Sequence, residues 1–134
     1  AMKLNSITTA LTLLAASSSA APAASKRANS CGLSTFVVDT SSQAVASHCQ
    51  TLVSLLQTST FPSYIWGLDG SWKSVLTYDT CSFSARTTRN GQGQIGNEDV
   101  FDLLRDTVRD TNRGGSVGAK GVMSCGGVEV EWKV

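Results

Sequence analysis

The sequence contains a single histidine and two prolines, and no Cys-x-x-Cys pair occurs in it. With His48 as the only histidine, the ligand set of a zinc site is missing. A serine or cysteine nucleophile would need a base, and His48 is next to Cys49, a cysteine that we expect to be oxidised. No Asn-x-Ser/Thr sequon is present, and we expect no N-linked glycan. We therefore predict no metal, no cofactor and no catalytic residue.

The first 27 residues have the pattern of an export leader. Lys3 supplies the positive start, residues 7–16 form an apolar run too short to span a bilayer, and residues 18–20 are small. Lys26 and Arg27 then form a dibasic pair of the kind that kexin-type proteases cut. We predict a signal peptide over residues 1–20, a short pro-segment over 21–27 and one mature domain over 28–134.

Charge is nearly balanced in the predicted mature domain. The first 27 residues hold three of the 11 basic residues and none of the 10 acidic ones, so residues 28–134 carry a formal net charge of −2. This balance argues against binding to nucleic acid. A membrane partner is also disfavoured, because no basic amphipathic helix is present. A hydrophobic content of 41% supports a core for one domain of this size, which we expect to be monomeric.

Four cysteines remain after the leader: Cys31, Cys49, Cys81 and Cys125. An even number in a short exported domain predicts two disulfides, with three possible pairings. Three of these cysteines lie on apolar faces of predicted elements, which makes helix-to-sheet bridges reasonable. We favour Cys31–Cys125 with Cys49–Cys81, and the other pairings stay open.

Apolar residues at helical spacing predict two amphipathic helices. The first runs from a cap at Ser41 and Ser42 to about Gln57, and Phe61-Pro62 ends the connection after it. The second begins at Asn97 as its cap and ends at residues 113–115. The predicted stripes are Val45, Cys49, Leu52, Val53 and Leu56 in the first helix, and Val100, Phe101, Leu103, Leu104 and Val108 in the second.

The remaining segments predict strands. Residues 33–38 form the first; residues 64–68 and 71–78 flank Asp69-Gly70 as a two-residue hairpin that sets Gly67 opposite Trp72. Residues 81–85 alternate, and residues 86–96 are polar and glycine-rich, as in a loop. Residues 117–125 and 128–134 form a hairpin whose register pairs Cys125 with Val128, Met123 with Val130, Gly121 with Trp132 and Lys120 with Lys133.

The predicted order is strand, helix, three strands, helix and two strands. This order predicts an α+β fold, a two-layer sandwich in which two helices pack on one face of an antiparallel sheet of about five or six strands, with two disulfides.

An ordered series of short motifs resembles a known family. The motifs are Cys31-Gly32-Leu33-Ser34-Thr35-Phe36, Thr40-Ser41-Ser42, Cys49-Gln50-Thr51-Leu52, Cys81-Ser82-Phe83, the run from Ile95 to Leu104, the run from Val117 to Cys125, and Val130-Glu131-Trp132. Together they resemble the putative necrosis-inducing factor domain of fungi, typified by the extracellular protein two effectors of plant pathogens. Ser84 and Lys133 depart from the pattern, since relatives often carry glycine at these positions.

The resemblance implies a protein secreted by a fungus and active in the host apoplast, where members are linked to plant cell death, virulence or recognition. It implies no enzymatic activity. We predict an effector or toxin-like protein whose partner is a host or competitor protein or a cell-wall glycan. A carbohydrate-binding module and a killer-toxin-like antimicrobial protein are the alternatives, and a hydrolase is a weaker one.

Three sets of residues are candidates for these functions. Arg86, Arg89 and Asn90 of the predicted loop offer a partner contact, although a solvated connector has the same composition. Tyr64, Trp66 and Trp72 offer sugar stacking, although core packing is the usual role of such residues. A hydrolase would have to draw on His48 and on the carboxylates Asp69, Asp79, Asp99 and Asp102.

Overall fold

The structure, a computed structural model, describes residues 29–58 and 63–134. The predicted signal peptide, the pro-segment with Lys26 and Arg27, and Phe61-Pro62 lie outside these ranges. The elements in chain order are β1 (Cys31–Ser34), β2 (Val37–Val38), β3 (Ala44–Val45), α1 (Ala46–Gln57), β4 (Ile65–Leu68), β5 (Lys73–Tyr78), β6 (Cys81–Thr87), β7 (Gly93–Gly96), α2 (Asn97–Thr111), β8 (Ser116–Val117), β9 (Ala119–Cys125) and β10 (Val128–Lys133).

Six strands form one antiparallel sheet in the order β1-β9-β10-β6-β5, with β2 pairing to β9 next to β1. Two short ladders, β3 with β8 and β4 with β7, complete the strand pairing. The apolar faces of α1 and α2 enter the same core as the inner face of the sheet. The predicted α+β fold is therefore confirmed.

The centre of the core is the indole of Trp132. Its ring stacks on Phe83 with centroids 5.7 Å apart and an interplanar angle of 6°, and Phe36 lies 5.9 Å away. The indole N–H donates to Ser34 Oγ at 2.7 Å, so the one polar atom of the ring is satisfied. Gly121 is the cross-strand partner of Trp132, and a Cβ built there would lie 1.9 Å from the carbonyl oxygen of Thr35.

Both disulfides have the favoured pairing. Cys31–Cys125 joins β1 to its neighbour β9, and Cys49–Cys81 joins α1 to β6. The sequence separations are 94 and 32 residues. In the chain-entropy model, loops of these lengths give each bridge about 3–5 kcal/mol of stabilisation.

The C-terminal hairpin has the predicted register in all four pairs, from Cys125 with Val128 to Lys120 with Lys133. Gly126 and Gly127 turn the chain with φ values of 61° and 84°, which glycine adopts without strain. Gly118 interrupts the long strand that was predicted and separates β8 from β9. It lies so close to the Asp39–Ser42 turn that a Cβ would be 2.2 Å from that of Ser42.

The predicted hairpin around Asp69-Gly70 is wrong. β4 pairs with β7, which sets Gly67 opposite Gln94, while β5 pairs with β6. Residues 86–96 are therefore not one loop, since Arg86 and Thr87 end β6 and residues 93–96 form β7. The carbonyl of Asp69 accepts from the backbone N–H of Thr87, which turns the chain away from β4 at this point. The Asp-Gly signal reflects only the local preference for a turn, whereas tertiary packing determined that β4 pairs with β7.

Both predicted helix caps are also wrong. The Asp39 carboxylate accepts from the Ser41 backbone N–H and hydroxyl, so Ser41 belongs to a turn and α1 begins only at Ala46. Both bonds lower the pKa of Asp39, and the bond from the Ser41 hydroxyl has the larger effect. At the second helix the Asn97 amide oxygen accepts from the Tyr64 backbone N–H, and Asp99 instead accepts from the N–H of Gly96.

The two edges of the main sheet are irregular. The register shifts between Cys31 and Ser34 on β1, and between Ser74 and Leu76 on β5. The predicted first strand is accordingly split into β1 and β2. Among the helices of the described ranges, neither has the length and apolar character needed to cross a membrane.

The glycine opposite Trp132 gives a direct test of the packing. We expect Gly121→Ala to destabilise the protein by about 1–3 kcal/mol or more, because the new methyl group meets the Thr35 carbonyl and the backbone must shift. Gly67→Ala is the matched control, since a Cβ there has no neighbour within 4 Å. Denaturant unfolding of the oxidised proteins measures both, and equal midpoints would contradict the packing described here.

Candidate functional site

The side of the sheet that points away from the helices is polar. On β6 and β10 the inward residues Phe83, Ala85, Val130 and Trp132 are buried, so strand alternation turns their neighbours outward. We call the outward side the open face. Its side chains are exposed or half-buried: Trp72, Ser74, Thr77, Ser82, Ser84, Arg86, Thr88, Lys120, Val122, Ser124, Glu129, Glu131 and Lys133.

The open face is arranged in rows across the strands. In one row Lys120, Lys133, Ser84 and Ser74 are successive cross-strand partners. In the next row Val122, Glu131 and Arg86 are partners. The sequence predicted the pairing of Lys120 with Lys133, whereas the Arg86–Glu131 partnership was missed because the strand order was not known.

Trp72 lies beside these rows with 38% of its surface exposed. Lys133 Nζ lies 4.3 Å from the ring centre and the guanidinium carbon of Arg86 lies 4.7 Å from it. Arg86 also forms an ion pair with Glu131. Because each cation–ring contact is worth about 0.5–1 kcal/mol at an exposed site, the indole is held in place while part of it stays accessible.

Three hydroxyls extend the polar surface next to Trp72. Ser74 Oγ lies 2.6 Å from Ser82 Oγ and 2.9 Å from Thr77 Oγ1, and Thr77 and Ser82 are 3.0 Å apart. A closed ring of three hydroxyls uses one hydrogen of each, so every oxygen keeps a lone pair for a further donor.

The predicted contact loop is divided between two places. Arg86 belongs to β6 and the open face, so the three residues do not form one segment. Arg89 and Asn90 lie in the exposed turn between β6 and β7, where Asn90 packs against Gly70. Arg89 borders a shallow depression together with Glu129. Contact of Arg86, Arg89 and Asn90 with a partner stays a prediction.

Two of the three candidate stacking residues, Tyr64 and Trp66, lie together, and Trp72 lies apart from them. Tyr64 is 51% exposed, and its ring lies 5.2 Å from that of Trp66. Trp66 is half-buried and packs against the core, as the alternative interpretation expected. Trp72 is the aromatic residue that the fold places on the open face.

The candidate carboxylates have structural partners. Asp99 is 7% exposed and accepts from the backbone N–H groups of Ser30, Cys31 and Gly96. Asp69 accepts from Ser71 N–H at 2.8 Å within its own turn. Burial raises the pKa of Asp102, and the nearby Arg105 opposes that rise. Across residues 29–58 and 63–134, no three His, Cys, Asp or Glu side chains are grouped to hold a metal.

His48 forms a cluster with the turn that precedes β6. Its Nδ1 lies 2.8 Å from Thr80 Oγ1, and its Nε2 lies 3.4 Å from Asp79. The backbone N–H of Thr80 also donates to Nδ1 at 3.4 Å, so Nδ1 is an acceptor and the hydroxyl hydrogen of Thr80 points to it. The order hydroxyl, imidazole, carboxylate resembles a catalytic triad. Here, however, the Thr80 hydroxyl also accepts from Val45 N–H, and the cluster joins α1 to the turn beside the Cys49–Cys81 disulfide.

Comparison with known proteins identifies the family. A family model described as "Pathogen effector; putative necrosis-inducing factor" matches residues 30–125. That range holds both disulfides, both helices of the described chain and every strand except β10. The chain belongs to this family. The resemblance found in the sequence is thereby confirmed, and the two disulfides of this effector domain are consistent with a secreted protein.

The effector domain is also similar to one curated protein of a different description. It is 29% identical over 100 residues to "Probable chitinase LysM18" of Penicillium expansum. The match covers 69% of this chain and 7% of the relative, so the chain corresponds to a small part of that protein.

The His48 cluster predicts one imidazole tautomer. Because Nδ1 accepts from Thr80, we expect the neutral ring of this effector domain to carry its hydrogen on Nε2, facing Asp79. Long-range proton–nitrogen NMR under alkaline conditions measures the tautomer directly. In Thr80→Val, which lacks the hydroxyl, we expect a mixture of tautomers and a loss of about 1–2 kcal/mol of stability. A hydrogen on Nδ1 in the unmodified protein would contradict the assignment.

Proposed function

We propose that this protein is a secreted effector that acts in the apoplast of a plant host, by binding a partner through its surface and without catalysis. The observation that carries the proposal is the family match over residues 30–125. The export leader with its dibasic pair at Lys26 and Arg27, predicted from the sequence, supports the location.

The local chemistry supports binding over catalysis. A hydrolase would need a free nucleophile with a base, or two carboxylates across a cleft. Asp99 and Asp69 accept hydrogen bonds from backbone N–H groups, and the Thr80 hydroxyl accepts one from Val45. The open face, in contrast, presents charged, hydroxyl and aromatic side chains on a rigid sheet that two disulfides hold, which is the arrangement of a preorganised contact surface.

Binding of a cell-wall glycan is the second candidate function. It is supported by the similarity to a protein named as a probable chitinase and by the exposed ring of Trp72. Because the chain matches only 7% of that relative, chitinase activity itself is not part of the proposal.

The effector role is tested by infiltrating purified oxidised protein into leaves of several hosts and scoring cell death by ion leakage. We expect a dose-dependent change, either induced death or suppression of death caused by a known elicitor. The double variant Cys49→Ser, Cys81→Ser should lose potency because α1 is released from β6. Arg86→Ala and Arg89→Ala, made separately, then test the predicted contact.

A matched pair of variants tests the chemistry of the effector role. His48→Ala and Asp79→Ala remove the triad-like cluster, and we expect both to keep full potency wherever the variant remains folded by circular dichroism. Turnover of a defined substrate that these variants lose would overturn a role by binding alone.

The glycan candidate is tested by sedimentation with insoluble chitin and β-glucan. We expect Trp72→Ala to weaken any binding about five- to tenfold, because stacking on an aromatic ring is worth about 1–1.5 kcal/mol. Tyr64→Ala is the control, since that ring lies away from the open face. Binding that needs Tyr64 and not Trp72 would place the glycan site elsewhere.

A further inference from the structure

We propose that the row of Lys120, Lys133, Ser84 and Ser74, together with Trp72, binds an acidic polysaccharide, a polymer of sugars that carry carboxylates. The inference rests on the proposed function, since it names the ligand class and the site for an effector that acts by surface contact.

The first argument is a like-charge pair on neighbouring strands of the sheet. Lys120 and Lys133 are directly opposite each other on β9 and β10, an arrangement that destabilises a sheet. In the described part of the chain, neither amine takes part in an ion pair. In the neighbouring row the cross-strand partners carry opposite charges, and Arg86 and Glu131 form an ion pair. Lys133 Nζ lies over the Trp72 ring and Lys120 interacts electrostatically with Asp39, but the two lysines remain direct cross-strand partners. An unfavourable pairing of this kind is typical of a binding position.

The second argument is the aromatic ring beside the two amines. Lys133 Nζ lies over the ring of Trp72, and the ring keeps an exposed part. A sugar stacked on the indole would bring its carboxylate next to this amine, and Lys120 lies one strand further along the row. Ser84 and Ser74 continue the row with hydroxyls that can bond to sugar hydroxyls.

The row has the shape of an extended ligand. Neighbouring strands lie about 4.8 Å apart, so the four positions span about 14 Å in a straight line across the sheet. The site is therefore suited to several consecutive sugars of a polymer chain, lying across the strands.

The third argument is the distribution of charge over the whole domain. α2 carries five acidic residues and two basic ones, so the excess of negative charge lies on the helical side: Glu98, Asp99, Asp102, Asp106 and Asp110 against Arg105 and Arg109. The open face carries Arg86, Lys120 and Lys133 against Glu129 and Glu131, an excess of one positive charge. A polyanion is repelled by the first side and attracted by the second, which orients it onto the open face.

The test uses two ligands that differ in charge and little else: polygalacturonate and its fully methyl-esterified form. We expect the protein to bind the acid form at least tenfold more tightly by calorimetry, with affinity that falls as salt rises. Polyglutamate is the second probe, because it has carboxylates and no sugar. Equal binding of acid and ester, or binding of polyglutamate as tight as that of polygalacturonate, would overturn the proposal.

The variants separate the site from general electrostatics. We expect Lys120→Gln to weaken binding of polygalacturonate about tenfold, while Arg109→Gln on α2, which removes the same charge, leaves it unchanged. Equal effects of the two variants, or none from Lys120→Gln, would count against the site.

A stability readout distinguishes a binding lysine from a structural one. Lys120→Glu places opposite charges on β9 and β10, so we expect its melting temperature to rise while polygalacturonate binding is lost. A lower melting temperature would show that Lys120 stabilises the fold and would overturn the argument from the like-charge pair.

The leaf assay keeps this inference separate from the proposed function. Full potency without binding of polygalacturonate overturns the inference and leaves the effector role intact. Binding that depends on Lys120, with no response in any host, supports the site and counts against the effector role.

Discussion

Two covalent cross-links hold this fold together. A domain of this size buries too little surface for a wide margin of stability, and bridges that close long loops stabilise it by restricting the unfolded chain. Cys49–Cys81 fixes the first helix to the sheet, and Cys31–Cys125 fixes the first strand to the ninth. The His48–Thr80–Asp79 cluster lies directly beside the Cys49–Cys81 bridge and joins α1 to the turn that precedes β6. With its layers joined in this way, the sheet can present an outer surface whose side chains contribute little to the core.

The division of the sheet into two faces separates folding from the proposed contact. Phe83 and Trp132 face inward and stack, while their chain neighbours Ser84 and Lys133 face outward. A substitution on the outer face leaves the ring stack in place. Surface chemistry can therefore change with modest effects on stability, which suits the proposed role in binding.

The features that could be predicted from sequence are those with a local signal or a covalent constraint. Strict alternation around Gly126-Gly127 predicted the register of the C-terminal hairpin, and the four cysteines left three pairings among which facing elements favoured the observed one. The pairing partner of β4 was predicted wrongly because Asp69-Gly70 has the composition of a hairpin turn. In the structure β4 pairs with β7, which lies further along the sequence. The predicted cap at Asn97 was wrong for a similar reason, because its amide oxygen accepts a hydrogen bond from the backbone N–H of Tyr64. The open face could not be predicted without the strand order, because Arg86 and Glu131 are 45 residues apart in sequence.

The irregular edges of the sheet bear on how the protein behaves at high concentration. A straight, regular border offers free N–H and C=O groups to the border of another molecule, and such contacts propagate into fibrils. The shifts in β1 and β5 bend these borders and interrupt the repeat that a second molecule would need. Crowded copies of the protein would therefore meet at edges that lack the regular repeat of a fibril.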